Sequence, residues 1–152
     1  MSVIKNKRNE SSMQFLDNMK KLHAFTIAFC MKCPKRWDRF LTQDIAKLTN
    51  SALIHLKSGN SIYPTNQYER QLRKVEFTKA LGDLQALITL IDNLFDYCNS
   101  SETDFKIKVS KIENWMLMID EEIGLVKGMI KKDSLRYKNL PPICLPENKE
   151  DF

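Results

Sequence analysis

The sequence predicts an all-α protein, an up-down-up-down antiparallel four-helix bundle, and three observations support this prediction. Glycine and proline are scarce, with four and five residues in a chain of 152. Apolar residues recur three and four positions apart, a spacing that places them along one side of a helix. One such run extends from Phe77 to Cys98 and another from Phe105 to Ile130. Finally, the residues that interrupt helices divide the chain into four helices with short connections, which is typical of a bundle.

The first helix is predicted from the residues that border it. Residues 1–10 are expected to be a flexible basic arm, and Ser11 or Ser12 is a suitable N-cap for the helix that follows. This helix should end near Cys33, because a proline disfavours helical geometry in the residue before it. Pro34 can then be an early residue of the second helix, where its missing N–H costs nothing.

The second and third helices are separated by breaking residues. The second helix is expected to run from Pro34 to about Lys57, where residues 58–60 offer a C-terminal stop, the alternative being a helix that continues to Tyr63. Pro64 cannot continue a helix, so a third helix should follow it over about 66–98.

Caps define the remaining elements. Thr65 or Asn66 can cap the third helix, and Ser101 can cap a fourth helix over about 102–132. Prolines in residues 133–152 predict an extended tail that ends in acidic residues.

Length and charge indicate one domain with a polarised surface. The bundle is predicted over residues 11–132, and the chain carries a net charge of +5. Residues 1–40 contain nine basic and three acidic residues, whereas residues 81–104 contain five acidic residues and no basic one. This distribution favours a surface that faces a polyanion, the alternative being a solvated lysine-rich helical surface. Neither a membrane span nor a secretory signal is recognisable, so we expect a cytoplasmic protein.

Two clusters of basic residues are candidate sites for nucleic acid. One opens the second helix, the other lies near the start of the third at helical spacing, and two lysines of the intervening helix could link them. Such groups bind phosphates with salt-sensitive, sequence-blind affinity. Trp37 and Tyr68, beside these clusters, are either stacking platforms for unpaired bases or anchors of a core or interface. The candidate residues are Lys35, Arg36, Arg39, Lys47, Lys57, Arg70, Arg73 and Lys74.

The last two helices offer more apolar residues than one buried stripe requires. Exposed apolar patches on soluble proteins usually mark contacts with partners, which predicts self-association through helices three and four. The alternative is a broad core face of a compact bundle. The predicted interface residues are Leu87, Leu94, Trp115, Met118, Leu125 and Met129.

Little in the sequence resembles an active site, and we expect neither an enzyme nor a bound metal or other cofactor. Cys30 and Cys33 form a Cys-x-x-Cys pair, but a thioredoxin-type site needs strand–helix alternation around it. A zinc site would need two further ligands at suitable spacing, and His23 and His55 do not provide them. No glycine-rich phosphate loop is present.

The order of these features is similar to one family of small helical bundles. After a first amphipathic helix, the second helix opens with Pro34-Lys35-Arg36 and continues with Phe40-Leu41 and Ile45. The third helix follows Ser61-Ile62-Tyr63 and contains Arg70, Arg73, Phe77, Ala80, Leu81 and Leu84. The chain thereby resembles the accessory variability determinant proteins of diversity-generating retroelements over about residues 13–130. It is also similar to their relatives, the four-helix proteins encoded in ribosomal RNA intervening sequences. Those relatives usually carry an Arg-Ala-Ala and Ser-Ile-Pro-x-Asn-Ile-Ala segment in helix two. Thr49-Asn50-Ser51-Ala52-Leu53 stand here instead, which favours the retroelement branch.

The resemblance implies a specific function. Members of the family assemble into a ring- or barrel-like homopentamer with a basic surface. They bind the reverse transcriptase of the element and its template RNA, or an RNA–DNA hybrid, and support mutagenic cDNA synthesis without performing chemistry. In that case Arg70, Arg73 and Lys74 are the first candidates for contacting nucleic acid or polymerase. The alternatives are a helical protein-binding scaffold and a ribosomal-type bundle protein without a reverse-transcriptase partner.

Overall fold

The computed structural model describes residues 3–100 and 105–143, with the backbone alone for residues 3–12. This part of the chain is helical and contains no strand. The α-helices are α1 (Val3–Lys32), α2 (Gln43–Ser61), α3 (Gln67–Asn99) and α4 (Val109–Arg136). Both α1 and α3 pack against α2 and α4, so the helices surround a single apolar core. The predicted all-helical class is therefore confirmed, and the architecture fits a four-helix bundle.

The first helix is longer than predicted. It begins at Val3, eight residues before Ser11, so the expected flexible arm of residues 1–10 is wrong for residues 3–10. No glycine or proline lies in this stretch to stop the helix from extending towards the N-terminus. At its other end, α1 finishes at Lys32, and Pro34 adopts an extended conformation with ψ of 134°.

The second helix does not begin as a regular α-helix after Pro34. A 3-10 turn (Lys35–Trp37) and a π turn (Asp38–Thr42) precede α2, and we call these residues together the 35–42 segment. Trp37 and Thr42 lie five positions apart and are both buried, whereas an α-helix would bury residues four apart. The wider π turn matches this five-residue interval and so brings both side chains to the core.

The start of α3 is capped as predicted. The Asn66 side chain accepts a hydrogen bond from the Glu69 backbone N–H at 2.9 Å. The Glu69 carboxylate in turn accepts hydrogen bonds from the backbone N–H and the hydroxyl of Thr65, at 2.7 and 2.9 Å. These hydrogen bonds, the backbone one first, lower the pKa of Glu69. These hydrogen bonds fix the residue at which α3 begins.

The fourth helix begins later than expected, at Val109 instead of residue 102. The predicted cap Ser101 lies outside the described residues. Lys106 donates hydrogen bonds from Nζ to the backbone oxygens of Cys98 and Ser100, at 3.0 and 2.8 Å. The ammonium group thus binds backbone carbonyls in the last turn of α3, and Ile107 is buried beside it.

The fourth helix also ends later than expected, at Arg136 instead of residue 132. Beyond it, the chain returns to the start of α3. The backbone N–H of Gln67 donates to the Pro141 oxygen at 2.9 Å, and Gln67 Nε2 donates to the Leu140 oxygen at 2.7 Å. A free N–H of the first turn of α3 is satisfied in this way. The remainder of the predicted tail, residues 144–152, lies outside the described part of the chain.

The predicted self-association surface is largely wrong, because most of its residues belong to the core of one subunit. Trp115 is fully buried, its Nε1 donates to the Thr26 hydroxyl at 3.0 Å, and its ring centroid lies 4.7 Å from that of Phe29. A side chain enclosed in this way has no surface to offer a second copy. Leu87, Leu94, Trp115 and Met129 are buried, and Met118 and Leu125 are half-buried against the core. The broad core face is the correct interpretation of these apolar residues.

The close packing of α2 on α3 predicts an unequal response to alanine at two glycines. A Cβ at Gly59 would lie 2.6 Å from Cε1 of Phe77, a fully buried ring. We expect Gly59→Ala to lower the free energy of unfolding by about 1–3 kcal/mol, through overpacking. A Cβ at Gly82 of α3 would meet nothing within 4 Å, so Gly82→Ala should raise the free energy of unfolding by about 0.5–1 kcal/mol. Urea denaturation measures both, and a Gly59→Ala protein as stable as the native one would contradict this packing.

Candidate nucleic-acid interface

Arg73, the central residue of the predicted basic cluster on α3, is a buried structural residue. Only 4% of its surface is exposed. Its Nε donates to Asp133 Oδ2 of α4 at 2.6 Å, and its Nη1 donates to the backbone oxygens of Gly59 and Ile62, at 3.1 and 3.0 Å. The guanidinium therefore ties α3 to α4 and to the end of α2. The prediction that Arg73 contacts nucleic acid is wrong, because its hydrogen-bonding groups are used inside the fold.

The neighbours of Arg73 in the same cluster lie at the surface. Arg70 is half-buried, with Nη1 donating to Gln67 Oε1 at 3.0 Å and Nη2 to the Ser134 oxygen at 3.3 Å. Lys74, one helical turn further along α3, is exposed. The i, i+4 spacing places both side chains on one side of α3, towards the end of α4.

A groove between α3 and α4 gathers these residues with two lysines that sequence reasoning did not select. Lys127 and Lys131 of α4 are again spaced i, i+4, and both are exposed. With Arg70 and Lys74 they line a groove of about 180 Å³, which we call the α3–α4 basic groove. Ile130 and Ser134 also line it.

The charge of this groove is positive because its single acid is already paired. Asp133 lines the groove but is bound by Arg73. Lys74, Lys127 and Lys131 form no ion pair with any residue that the structure describes. Unpaired cations that face one another across a groove focus a positive potential, which raises the local concentration of anionic ligands.

The first basic cluster lies elsewhere on the molecule. Lys35, Arg36 and Arg39 are all exposed on the 35–42 segment. The 19 residues of α2 separate them from the second cluster, a helix length of about 28 Å. The structure therefore does not bring the two clusters into one site.

The other basic and aromatic candidates are divided between surface and core. Lys47 and Lys57 are exposed on α2 but do not line the α3–α4 basic groove. Tyr68 is exposed, whereas Trp37 is buried against Tyr97 with ring centroids 5.4 Å apart. Trp37 is thus a core anchor, the second of its two predicted roles.

The cysteines and histidines are held in local contacts. Burial raises the pKa of Cys30 to about 11, and the charge of Asp38 adds to this effect. Burial likewise raises the pKa of Cys33 to about 12, and the nearby Cys30 adds to that effect. Both thiols therefore remain protonated at neutral pH and are weak nucleophiles. His23 and His55 hydrogen-bond to side chains of neighbouring residues on other helices. Within residues 13–100 and 105–143, no group of three His, Cys, Asp or Glu side chains could hold a metal ion.

Lys127 and Lys131 could have been found from the sequence. Their spacing matches that of Arg70 and Lys74, and the antiparallel packing that the sequence predicts would place the end of the fourth helix beside the start of the third.

No described helix is at once long enough and apolar enough to cross a membrane. Comparison of the chain with protein-family models, curated proteins and solved structures finds no match. The candidate site therefore rests on the geometry of this chain.

Proposed function

We propose that this protein is a non-enzymatic accessory protein that binds RNA through the α3–α4 basic groove and delivers it to a reverse transcriptase. The observation that carries the proposal is a set of cations along that groove that have no ion-pair partner among the described residues: Lys74, Lys127 and Lys131, with Arg70 beside them. The diversity-generating retroelement, and a cytoplasmic location, enter the proposal through the family resemblance alone.

The groove suits a phosphate backbone better than a folded acidic protein. Its cations lie in two rows on two rigid helices, so they can contact successive phosphates of one strand without ordering a flexible loop. It presents no unpaired acidic group and few hydrogen-bonding groups that could select a base. Binding of this kind is strong at low salt and independent of sequence.

The proposal also includes an up-down-up-down topology, which the contacts between helices support. Phe29, late in α1, packs against Trp115, early in α4. Arg73, early in α3, pairs with Asp133, late in α4. Each of these pairs joins the start of one helix to the end of another, as antiparallel neighbours require.

A homo-oligomeric ring, pentameric by analogy with the family, remains part of the proposal. Its contacts must come from apolar side chains that the single subunit leaves exposed. Ile54, Leu117 and Leu135 are among these, with exposed fractions of 61%, 65% and 71%. Light scattering at micromolar concentration tests the assembly, and a monomeric mass would remove it from the proposal.

Charge reversal in the groove tests the proposed function. We expect Lys127→Glu with Lys131→Glu to weaken binding of a fluorescein-labelled single-stranded RNA at least about tenfold, or 1.4 kcal/mol. Lys20→Glu with Lys21→Glu is the matched control, since it changes the net charge equally at exposed positions of α1. Fluorescence anisotropy measures RNA binding, and co-elution measures binding of the reverse transcriptase.

The outcomes separate the proposal from its alternative. Equal weakening in the two double variants would mean that net charge matters and the groove does not. Native protein that binds the polymerase but no RNA would favour a protein-binding scaffold, for which Leu117 and Leu135 provide exposed apolar contacts.

A further inference from the structure

A second cleft lies between the 35–42 segment and the end of α3, far from the basic groove. Arg36, Trp37, Phe40, Leu41 and Tyr97 line it, and its volume is about 300 Å³. Along α3, Tyr97 lies 23 residues beyond Lys74, a distance of about 35 Å. The cleft is therefore a separate site and no extension of the groove.

The walls of this cleft are aromatic and accessible. The Phe40 side chain is 76% exposed, and Tyr97 is 45% exposed. Trp37 supports Tyr97 from the core, with its ring also packed edge-on against Phe105 at 5.2 Å between centroids. Tyr97 is therefore held in an aromatic cluster that the core supports, and Phe40 lies beside it along the cleft.

The exposure of Phe40 follows from the irregular backbone of the 35–42 segment. The π turn brings Trp37 and Thr42 inward, and Phe40 lies between them on the opposite side. Such turns interrupt regular helical hydrogen bonding and occur frequently at functional sites. A large apolar ring left in water is unfavourable unless a ligand covers it.

Arg36 places a positive charge at the cleft. Arg36 lines it, and Lys35 and Arg39 are exposed in the same segment. Asp38, the one acidic residue of the segment, accepts a hydrogen bond from the Thr42 hydroxyl at 2.7 Å. Trp37 Nε1 is buried and has no acceptor among the described residues. The ligand that complements the lining of the cleft is planar and has a negative charge close by.

We propose that this cleft binds an unpaired nucleotide of RNA, with the base stacked against Phe40 and Tyr97 and its phosphate near Arg36. A nucleobase combines a π-face with an adjacent phosphate, whereas stacking between neighbouring base pairs covers that face in a duplex. This inference rests on the proposed function and deepens it. The basic groove binds any RNA backbone, and the aromatic cleft selects strands with unpaired bases.

Replacing the exposed ring tests this inference. The probes are a single-stranded oligoadenylate of about twelve nucleotides and an RNA duplex of the same length, both labelled for anisotropy. We expect Phe40→Leu to weaken binding of the single strand at least about fivefold and to leave binding of the duplex unchanged. Leucine retains an apolar side chain and removes the π-face. Leu117→Ala is the control for the loss of exposed apolar surface, and Phe40→Tyr should retain affinity.

Each result decides for or against the cleft. Equal affinity of Phe40→Leu and native protein for the single strand would overturn the inference, and so would parallel loss of strand and duplex. A change only in co-elution with the reverse transcriptase would identify a protein-docking cleft and overturn it as well. If native protein binds neither RNA, both proposals fail. If the groove variant loses both RNAs while Phe40→Leu changes nothing, only the cleft inference fails.

Discussion

Replacing Arg73 with alanine is expected to lower the free energy of unfolding by about 3–5 kcal/mol, because it leaves the buried Asp133 carboxylate without its partner. The Asp133 side chain is only 10% exposed, so water can replace the guanidinium only in part. The substitution also removes the donors to the backbone oxygens of Gly59 and Ile62. Urea denaturation followed by circular dichroism measures the loss.

A neighbouring arginine gives the matched control. Arg70→Ala, one turn away on α3, removes a half-exposed guanidinium and should cost less than about 1 kcal/mol. Replacing both buried partners, Arg73→Met with Asp133→Leu, should recover most of the stability, since no unpaired charge remains. If Arg73→Ala were as stable as Arg70→Ala, the buried pair would not hold the two helices together.

The second large effect is a fall in stability with rising pH, caused by Glu122 on α4. This carboxyl group is fully buried, and neither of its oxygens has a hydrogen-bond partner among the described residues. Burial, with the charge of Glu121 adding to it, raises the pKa of Glu122 from its ordinary value of 4.5 to about 8. The folded state therefore keeps the proton at pH values where the unfolded state has released it.

The sign of this effect follows from proton linkage. Between about pH 4.5 and pH 8 the folded state binds more protons at this site, so the Glu122 contribution to stability falls by up to 1.4 kcal/mol per pH unit, and above pH 8 it levels off. Glu122→Met should remove this slope and raise stability at pH 8, whereas the exposed Glu113→Gln should leave it unchanged. Urea midpoints determined at several pH values measure this slope of stability against pH. An identical slope in Glu122→Met and native protein would contradict the assignment.

The helices were predictable because their apolar periodicity and breaking residues act locally. Pro34 ends α1, and Asn66 caps α3, through contacts within a few residues in sequence. The boundaries of α4 depend instead on distant contacts. Lys106 binds the end of α3, and Asp133 keeps the last turns of α4 against Arg73. A single-sequence pattern does not contain those partners.

The site was less predictable because burial decides which basic residues are available. The sequence gives no reason to distinguish Arg73 from Arg70 and Lys74. In the structure, however, the Arg73 guanidinium is bound by Asp133, which lies 60 residues away in the sequence. The ion pair between Arg73 and Asp133 also offsets the negative charge of Asp133, which would otherwise oppose the binding of anions in the groove. The sequence likewise predicts Trp115 as an interface residue, whereas in the structure its indole N–H donates to the Thr26 hydroxyl inside the core. In each case a long-range pairing changes the role that residue type and spacing indicate.

The salt dependence of RNA binding tests the α3–α4 basic groove most directly. Four phosphate contacts to a single strand predict that log Kd changes with log salt concentration at a slope of about 3, because bound counterions are released. Lys127→Glu with Lys131→Glu should reduce this slope by about 1.4, while Lys20→Glu with Lys21→Glu should leave it unchanged. Equal slopes in native protein and the groove variant would show that the RNA backbone does not contact these lysines.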